Sequence, residues 1–390
     1  MIPYGRQHID EADILAVTNV LKGNHLTQGP MIEAFENAIS DYVGSKYAVA
    51  VSSGTAALHL AYMAAGLDPG NSIVTSPITF VATANAARYC GAEVLFSDID
   101  LDTVNISPEA LKVTLSKNQN VRAIVPVHFA GLPCEMTLIK KLADESGAIV
   151  IEDAAHALGG KYHNGRRIGC CDSSLMTIFS FHPVKAIAAG EGGVITTNDH
   201  RIYRKLLRLR SHGINKLDDP FLLPMQAKTS GVMDPWYYEM QELGFHYRIT
   251  DIQCALALSQ LKKLDLFIAR RRELVKIYDQ AFRDHKNISL AQRVGRNISG
   301  HHLYVLRINY SAVGFSRNEL MQKLKVHGIG SQVHYIPVPA QPYYRSLGFI
   351  PEVYPNAQKY YDEALSIPLF YDLTNEQQQQ VIYRLNELFV

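Results

Sequence analysis

From residue 46 to residue 197, short runs rich in β-branched residues alternate with longer amphipathic stretches, and this alternation limits the possible folds more than any other feature of the chain. The runs are KYAVAVS (46–52), NSIVTS (71–76), AEVLFSDI (92–99), VRAIVPV (121–127), GAIVIED (147–153), SLMTIFSF (174–181) and GVITT (193–197). Between the first five lie stretches with helical spacing at 55–65, 81–90, 108–116 and 135–146, each near the length that a crossover between parallel strands requires. Strands that are apolar nearly throughout and alternate with helices predict an α/β fold with a large, mostly parallel sheet covered on both faces. The last two runs follow each other with no helix between them, which predicts a mixed or antiparallel edge.

Ahead of this core, 10–21 and 31–42 read as helices joined by the loop KGNHLTQGP, and after it 201–210 reads as a basic helix. Residues 214–247 have little periodicity and hold the single tryptophan, Trp236, beside Tyr237, Tyr238, Phe245 and Tyr247. An aperiodic stretch of that length in a folded protein is functional or an interaction loop. Between 251 and 283 runs one helical pattern without glycine or proline, predicting a long bridging helix. The remainder alternates strand-like runs (HHLYVLRI, 301–308; IGSQVHYI, 329–336) with helical stretches at 317–327, 356–365 and 375–388, enough for a smaller C-terminal α/β domain. The expected division is 1–250 and 251–390.

Composition narrows the function classes. The chain of 390 residues is 47% hydrophobic and 19% charged, which fits a folded protein and excludes a disordered one. Thirty-eight Lys+Arg against 37 Asp+Glu leave a net charge of +1, too balanced for a surface built around polyanions, so nucleic acid is not an expected partner. No run approaches the ~18–20 apolar residues of a membrane span, and the opening MIPYGRQHIDEADIL has no signal-peptide pattern; the expectation is a cytoplasmic protein without membrane contact. The five cysteines are scattered and lack zinc-site spacing, so reduced thiols and no metal are expected.

Four local features carry chemistry. Ser52-Ser53-Gly54-Thr55-Ala56 lies where a strand ends and a helix begins; it reads as a phosphate cradle or as an ordinary Ser/Thr helix cap. Glu152-Asp153, followed by His156, ends the strand GAIVI, where open α/β sheets bind ligands; the acid is a buried, paired carboxylate or a solvated loop acid. Ser180 and Lys185 lie in FSFHPVK, just before the glycine-rich AGEGG; a lysine among small and apolar residues is a candidate amine nucleophile, and a lone lysine is otherwise a surface charge. Phe80, in PITF, places an aromatic after a strand near the same sheet edge, as a ligand cover or as core. In that order, a phosphate cradle, an aromatic, a strand-end acid and an amine fit pyridoxal 5'-phosphate (PLP), which needs one of each. The signatures G-x-G-x-x-G after the first strand, G-x-x-x-x-G-K-[ST], G-x-S-x-G and H-E-x-x-H are absent.

At these residues the chain resembles the sugar aminotransferase family called DegT/DnrJ/EryC1/StrS, fold-type I PLP enzymes of the aspartate aminotransferase-like class. The resemblance runs over nearly the whole length, through LTQGPMIEAFE, VSSGTAALHL, SPITFVATANA, IEDAAHALGG, FSFHPVKAIAAGEGGVI, LRSHGI, ELGFHYRITDIQCALALSQL, VHYIPVPAQPYY and EALSIPLF. It implies that Lys185 forms the Schiff base and shuttles the proton, that Asp153 pairs with the pyridinium nitrogen, that His156 lies near the ring oxygen and that Phe80 stacks on the ring. It further implies that Gly54, Thr55, Ala56 and Ser180 hold the phosphate. His246, where asparagine is common, would reach the phosphate of a neighbouring subunit, implying a homodimer with a shared active site.

The same resemblance implies amino transfer, with L-glutamate as donor and a nucleotide-linked keto-sugar as acceptor; Lys185 stands where the family's dehydratases carry histidine. Within the family the terminal segments look most like the members that aminate C4'' of UDP-2-acetamido-2,6-dideoxy-β-L-arabino-hex-4-ulose in pseudaminic acid synthesis. Arg6, Thr27, Gly29 and His334 are the candidate substrate contacts, and Pro339 stands where many relatives carry a histidine. Alternatives are another UDP- or dTDP-keto-sugar, or a non-catalytic nucleotide-sugar-binding protein.

Overall fold

The computed structural model describes residues 1–216 and 219–389. Seven strands, β1 (Tyr47–Val51), β2 (Ser72–Thr75), β3 (Glu93–Phe96), β4 (Val121–Val125), β5 (Ile149–Asp153), β6 (Met176–Ser180) and β7 (Gly193–Thr197), form one sheet in the order β1-β7-β6-β5-β4-β2-β3. The pairings from β6 through β5, β4 and β2 to β3 are parallel, while β7 runs antiparallel to both β6 and β1. The antiparallel element therefore lies one strand in from the edge, because β1 returns to cover it.

Strand alternation divides the interior into two cores. Ala48, Ala50, Val74, Ile124, Val150, Phe179 and Val194 face one way, against α2 (Pro30–Val43), α6 (Met136–Ser146) and α8 (Asp251–Leu261). Their immediate neighbours Val49, Val51, Ile73, Val125, Ile151, Ile178 and Ile195 face the other way, against α3 (Gly54–Ala64), α4 (Ala82–Tyr89) and α7 (His200–Arg210). This explains why the strands read as unbroken apolar runs: both faces are buried.

The helical pattern at 251–283 is two helices rather than one. The first, α8, ends at Leu261, and α9 (Leu264–Phe282) begins after a turn at Lys262 and Lys263. Lys263 Nζ there pairs with Asp10 (2.8 Å) and Asp13 (2.7 Å), at the start of α1 (Glu11–Lys22). The break lets each helix follow its own surroundings. Cys254, Ala257 and Leu261 pack into the core shared with α2, whereas Leu274, Val275, Tyr278 and Phe282 belong to a core built on a small antiparallel sheet of Ile288–Leu290, Tyr304–Ile308 and Ala364–Ile367. The passage between cores falls within α9, since Leu264, Phe267 and Ile268 still belong to the first.

Two further expectations change. IGSQVHYI is not a strand; it is an irregular segment touching Ile2 and Ser366 through isolated bridges at Ile329 and Gln332. The helix expected to run to 365 stops at Glu363, because ALSI pairs with Tyr304–Arg307 as the edge strand Ala364–Ile367. In the aperiodic 214–247 stretch, of which 217 and 218 lie outside the described residues, the regular structure consists of two-residue ladders. No helix among the described residues is long and apolar enough to cross a membrane.

Candidate active site

The carboxyl ends of β5 and β6 and the turn after β1 meet at one edge of the sheet, and a cavity of about 410 Å³ opens there. Its floor and walls include Ser53, Gly54, Thr55, Phe80, Thr83, Asp153, His156, Ser180 and Lys185 from the large sheet side, and His302, His334 and Tyr335 from the C-terminal side.

At the end of β1 the chain turns into α3. Ser53 is the helix cap, its Oγ accepting from Ala56 N–H (3.1 Å), so the ordinary-cap reading holds for that side chain. The helix opens onto the cavity with Gly54 and Thr55 in its first turn, where amide hydrogens have no intrahelical acceptor. A Cβ on Gly54 would lie 2.9 Å from Ser180 Cβ and 3.1 Å from its Oγ. Only glycine permits that approach between the helix end and β6. Ala56 is buried in the core on that side of the sheet, outside the cavity's lining, and its N–H is donated to Ser53 Oγ.

Glu152 and Asp153 are split by the same alternation that divides the cores. Asp153 lies on the α4 side, accepting from Thr83 Oγ1 (2.6 Å) and Ala155 N–H (3.1 Å), and lines the cavity. Glu152 points away from it, fully buried, and accepts from His128 Nε2 (2.7 Å), Tyr162 (2.7 Å), Thr177 (2.9 Å) and Ser174. Burial pushes the Glu152 carboxyl up; His128, Ser174 and Tyr162 pull it back further, leaving it below the ordinary value.

Lys185 follows β6 by five residues, and burial lowers its ammonium to about 8 despite the opposing charge of Asp153. Such an amine is available unprotonated near neutral pH, as a nucleophile must be. Phe80, 59% exposed, stands at the cavity mouth with its ring 6.2 Å from that of Tyr335.

Both nitrogens of His156 are engaged. Nδ1 accepts from Ala130 N–H (3.3 Å) and Nε2 meets the Tyr335 hydroxyl (3.0 Å). Burial, then Lys185 and His334, hold its pKa well below the usual range. His302 lies against it, ring centroids 4.4 Å apart, with a buried Nδ1 that has no hydrogen-bond partner among the described residues. His334 lines the cavity and contacts Ser366 Oγ through Nδ1 (2.8 Å); burial lowers its pKa to about 3.

The other candidates are elsewhere. His246 is exposed, bridged to Ser211, with its ring beside His212. Thr27 is bridged to Thr250. Gly29 caps α2 and donates its N–H to Asp251 (2.8 Å); a Cβ there would clash with His25 and Asp251, so its glycine has a packing reason. Arg6 pairs with Asp372 and lies over the Phe370 ring, beside a small recess that Lys185 also borders. Sequence reading missed Thr83, His302 and Tyr335. Thr83 lies three residues beyond PITF, but nothing local marks the other two.

The donor set fits PLP: a helix end that a Cβ would fill, an anchored carboxylate for the ring nitrogen, an exposed aromatic and an amine of lowered pKa. Among the described residues no group of three or more His, Cys, Asp or Glu is placed to hold a metal ion.

The model of the DegT/DnrJ/EryC1/StrS aminotransferase family matches residues 7–386, and the chain belongs to that family. It is a PLP-dependent sugar aminotransferase. The Helicobacter pylori aminotransferase PseC, involved in the biosynthesis of pseudoaminic acid, superposes with a TM-score of 0.89 at 31% identity, covering 100% of this chain and 99% of that one. Spr1654 of Streptococcus pneumoniae, a candidate sugar aminotransferase solved in its PLP form, gives 0.88 at 26% identity over 99% and 98%. The spore coat polysaccharide biosynthesis protein SpsC of Bacillus subtilis is 37% identical over 391 residues, 99% of this chain and 97% of that protein.

Proposed function

We propose that the enzyme transfers an amino group from L-glutamate to C4'' of a UDP-linked 4-keto-6-deoxy-N-acetylhexosamine, UDP-2-acetamido-2,6-dideoxy-β-L-arabino-hex-4-ulose, as in pseudaminic acid biosynthesis. The observation that carries the transfer is Lys185, a buried amine of lowered pKa in one cavity with the anchored Asp153. The whole-chain likeness to PseC supports the choice of sugar.

Bound PLP supplies an electron sink for the carbanion formed at the carbon that gains or loses nitrogen. Gly54, Thr55 and Ser180 would hold its phosphate through backbone N–H groups and a hydroxyl, with Ala56 in the same helix turn. Asp153, fixed by Thr83 and Ala155, keeps the ring nitrogen protonated. Phe80 covers the ring. Lys185 Nζ would take a proton from one carbon and return it to another within each half of the reaction, which is why a single amine serves both. His334 and Arg6 border the acceptor, with Thr27 and Gly29 on the loop before α2.

The active form is a homodimer in which His246 of each chain serves the phosphate of the other site. In support, His246 lies outside its own cavity's lining, and the segment before it exposes Met225 (85%) and Trp236 (69%), apolar surface of the kind that associates. Mixing Lys185→Ala with His246→Ala chains should restore activity that neither has alone, since one site in the mixed dimer is then intact.

The substrate is tested by incubating the holoenzyme with L-glutamate and a panel of UDP- and dTDP-keto-sugars, then identifying the amino sugar by mass and NMR. Amination of a dTDP-sugar in preference to the UDP-4-keto sugar refutes the assignment. A purified protein with no visible cofactor band after PLP is supplied refutes the transfer itself.

A further inference from the structure

Two buried hydroxyls stand in series behind Asp153. Thr83, the second residue of α4, places its Oγ1 2.6 Å from Asp153 Oδ2, and Thr79 places its Oγ1 2.8 Å from that of Thr83. Both threonines line the cavity, and both are buried. Their hydrogens can be assigned from geometry. A carboxylate only accepts, so the single hydroxyl hydrogen of Thr83 goes to Asp153. Its contact with Phe80 O is longer, 3.3 Å, and competes weakly. Thr83 Oγ1 then has only lone pairs to offer Thr79, and the hydrogen between the two threonines belongs to Thr79. The order is Thr79 to Thr83 to Asp153, with each hydrogen directed toward the carboxylate.

The main chain here is held without these hydroxyls. Asp153 donates its N–H to Pro126 O and accepts from His128 N–H at its own carbonyl, as part of β5. The carbonyl of Thr83 accepts from the Tyr62 hydroxyl (3.0 Å). What the two side chains add is electrostatic: aligned O–H dipoles aimed at one carboxylate oxygen, in a buried place where each polarises the next.

We infer that Thr79 and Thr83 are positioning residues that act through Asp153 to keep the shared proton on the ring nitrogen of the bound cofactor. This rests on reading the cavity as the PLP site. A carboxylate paired with a ring nitrogen shares one proton with it. Each hydrogen donated to that carboxylate from behind draws on its negative charge and leaves the shared proton nearer the nitrogen. The ring accepts electrons well only with that proton in place. Without the two donors Asp153 would occupy the same position and pull the proton toward itself.

The test reconstitutes the holoenzyme, without substrate, with PLP labelled with nitrogen-15 in the ring, and reads that nitrogen by solid-state NMR. Thr83→Val removes the near hydroxyl and keeps the shape, Thr83→Ser keeps the hydroxyl, and Thr79→Val removes only the far one. The signal should move toward the unprotonated position in Thr83→Val, less far in Thr79→Val, and hold its wild-type position in Thr83→Ser. Single-turnover reaction with L-glutamate should slow by about 10-fold or more in Thr83→Val, as for one hydrogen bond to a charged group. A wild-type signal in Thr83→Val overturns the inference even where turnover falls, since the hydroxyl would then serve only the fold; the thermal midpoint checks that the variant is folded. Thr79→Val leaves both contacts of Asp153 itself in place, so it decides the matter if Thr83→Val does not fold, and an unmoved signal there overturns the series arrangement. Asp153→Asn marks the unprotonated limit. A signal in Asp153→Asn equal to that of the wild type, or no visible band in the wild type, would be a failure of the PLP reading and not of the two threonines.

Discussion

Gly54→Ala tests the phosphate cradle with the smallest available change. The new Cβ would lie 2.9 Å from Ser180 Cβ and 3.1 Å from Ser180 Oγ. Carbon atoms in contact prefer ~3.5–4.0 Å, so the helix end and the tip of β6 must separate by roughly 0.6–1 Å. Overpacking of this kind costs about 1–3 kcal/mol. Because the groups forced apart are those proposed to converge on one phosphate, much of that cost should fall on cofactor binding. At 1.4 kcal/mol per decade, the Kd for PLP should rise by about 5- to 100-fold. The assay is titration of the apoprotein with PLP, followed by absorbance, in parallel with pyridoxal, which has the ring and aldehyde but no phosphate. Pyridoxal should lose much less affinity than PLP. Equal losses for the two, or unchanged PLP binding in a folded variant, would refute the reasoning that this helix end is the phosphate site.

Lys185→Ala should retain PLP through its other contacts while turnover falls by several orders of magnitude, read by single-turnover amination; near-normal turnover would remove Lys185 from its role. Because burial lowers the Lys185 ammonium to about 8, the rate at which the apoprotein captures PLP should rise with pH to a half-maximum near that value, and a midpoint near 10 would contradict the burial. Asp153→Asn keeps a similar shape but cannot hold the ring nitrogen's proton, so kcat should fall by about 100-fold or more with little change in fold stability; a wild-type rate would sink the electron-sink argument. Glu152→Gln replaces one acceptor oxygen with an NH2 donor facing side chains that themselves donate, and should cost about 3–5 kcal/mol in urea unfolding at pH 7. The folded Glu152 value is depressed, so its contribution is fully present above the unfolded value of about 4.3 and is lost as pH falls through the folded one; a variant gap that widens in acid would be the wrong sign.

The large sheet was legible because strands buried on both faces leave a strong mark: runs such as GAIVI and GVITT have no polar face to confuse the period. Asp153, Lys185 and Gly54 were legible for a related reason, since each lies within a few residues of a strand end, where the sheet itself directs ligands. The break at Lys262 and Lys263 was not, because neither residue disfavours helix and the partners that Lys263 meets there, Asp10 and Asp13, lie far back in the chain. The strand Ala364–Ile367 was swallowed by a helical pattern because its partner lies about sixty residues back in the chain. Tyr335 and His302 escaped for the same reason. The main chain brings them to Lys185 across more than a hundred residues, and VHYIPV by itself looks like one more apolar run.

The turn between α8 and α9 has a consequence for the cavity. Its lining comes from both sides of that turn in the chain, Lys185 and Asp153 before it and His302 and Tyr335 after it. The pocket is thus a seam between stretches of chain that the turn separates. Lys263, clasped by Asp10 and Asp13, ties that turn to the start of the first helix. Lys263→Ala would cut the clasp without changing any residue that lines the cavity.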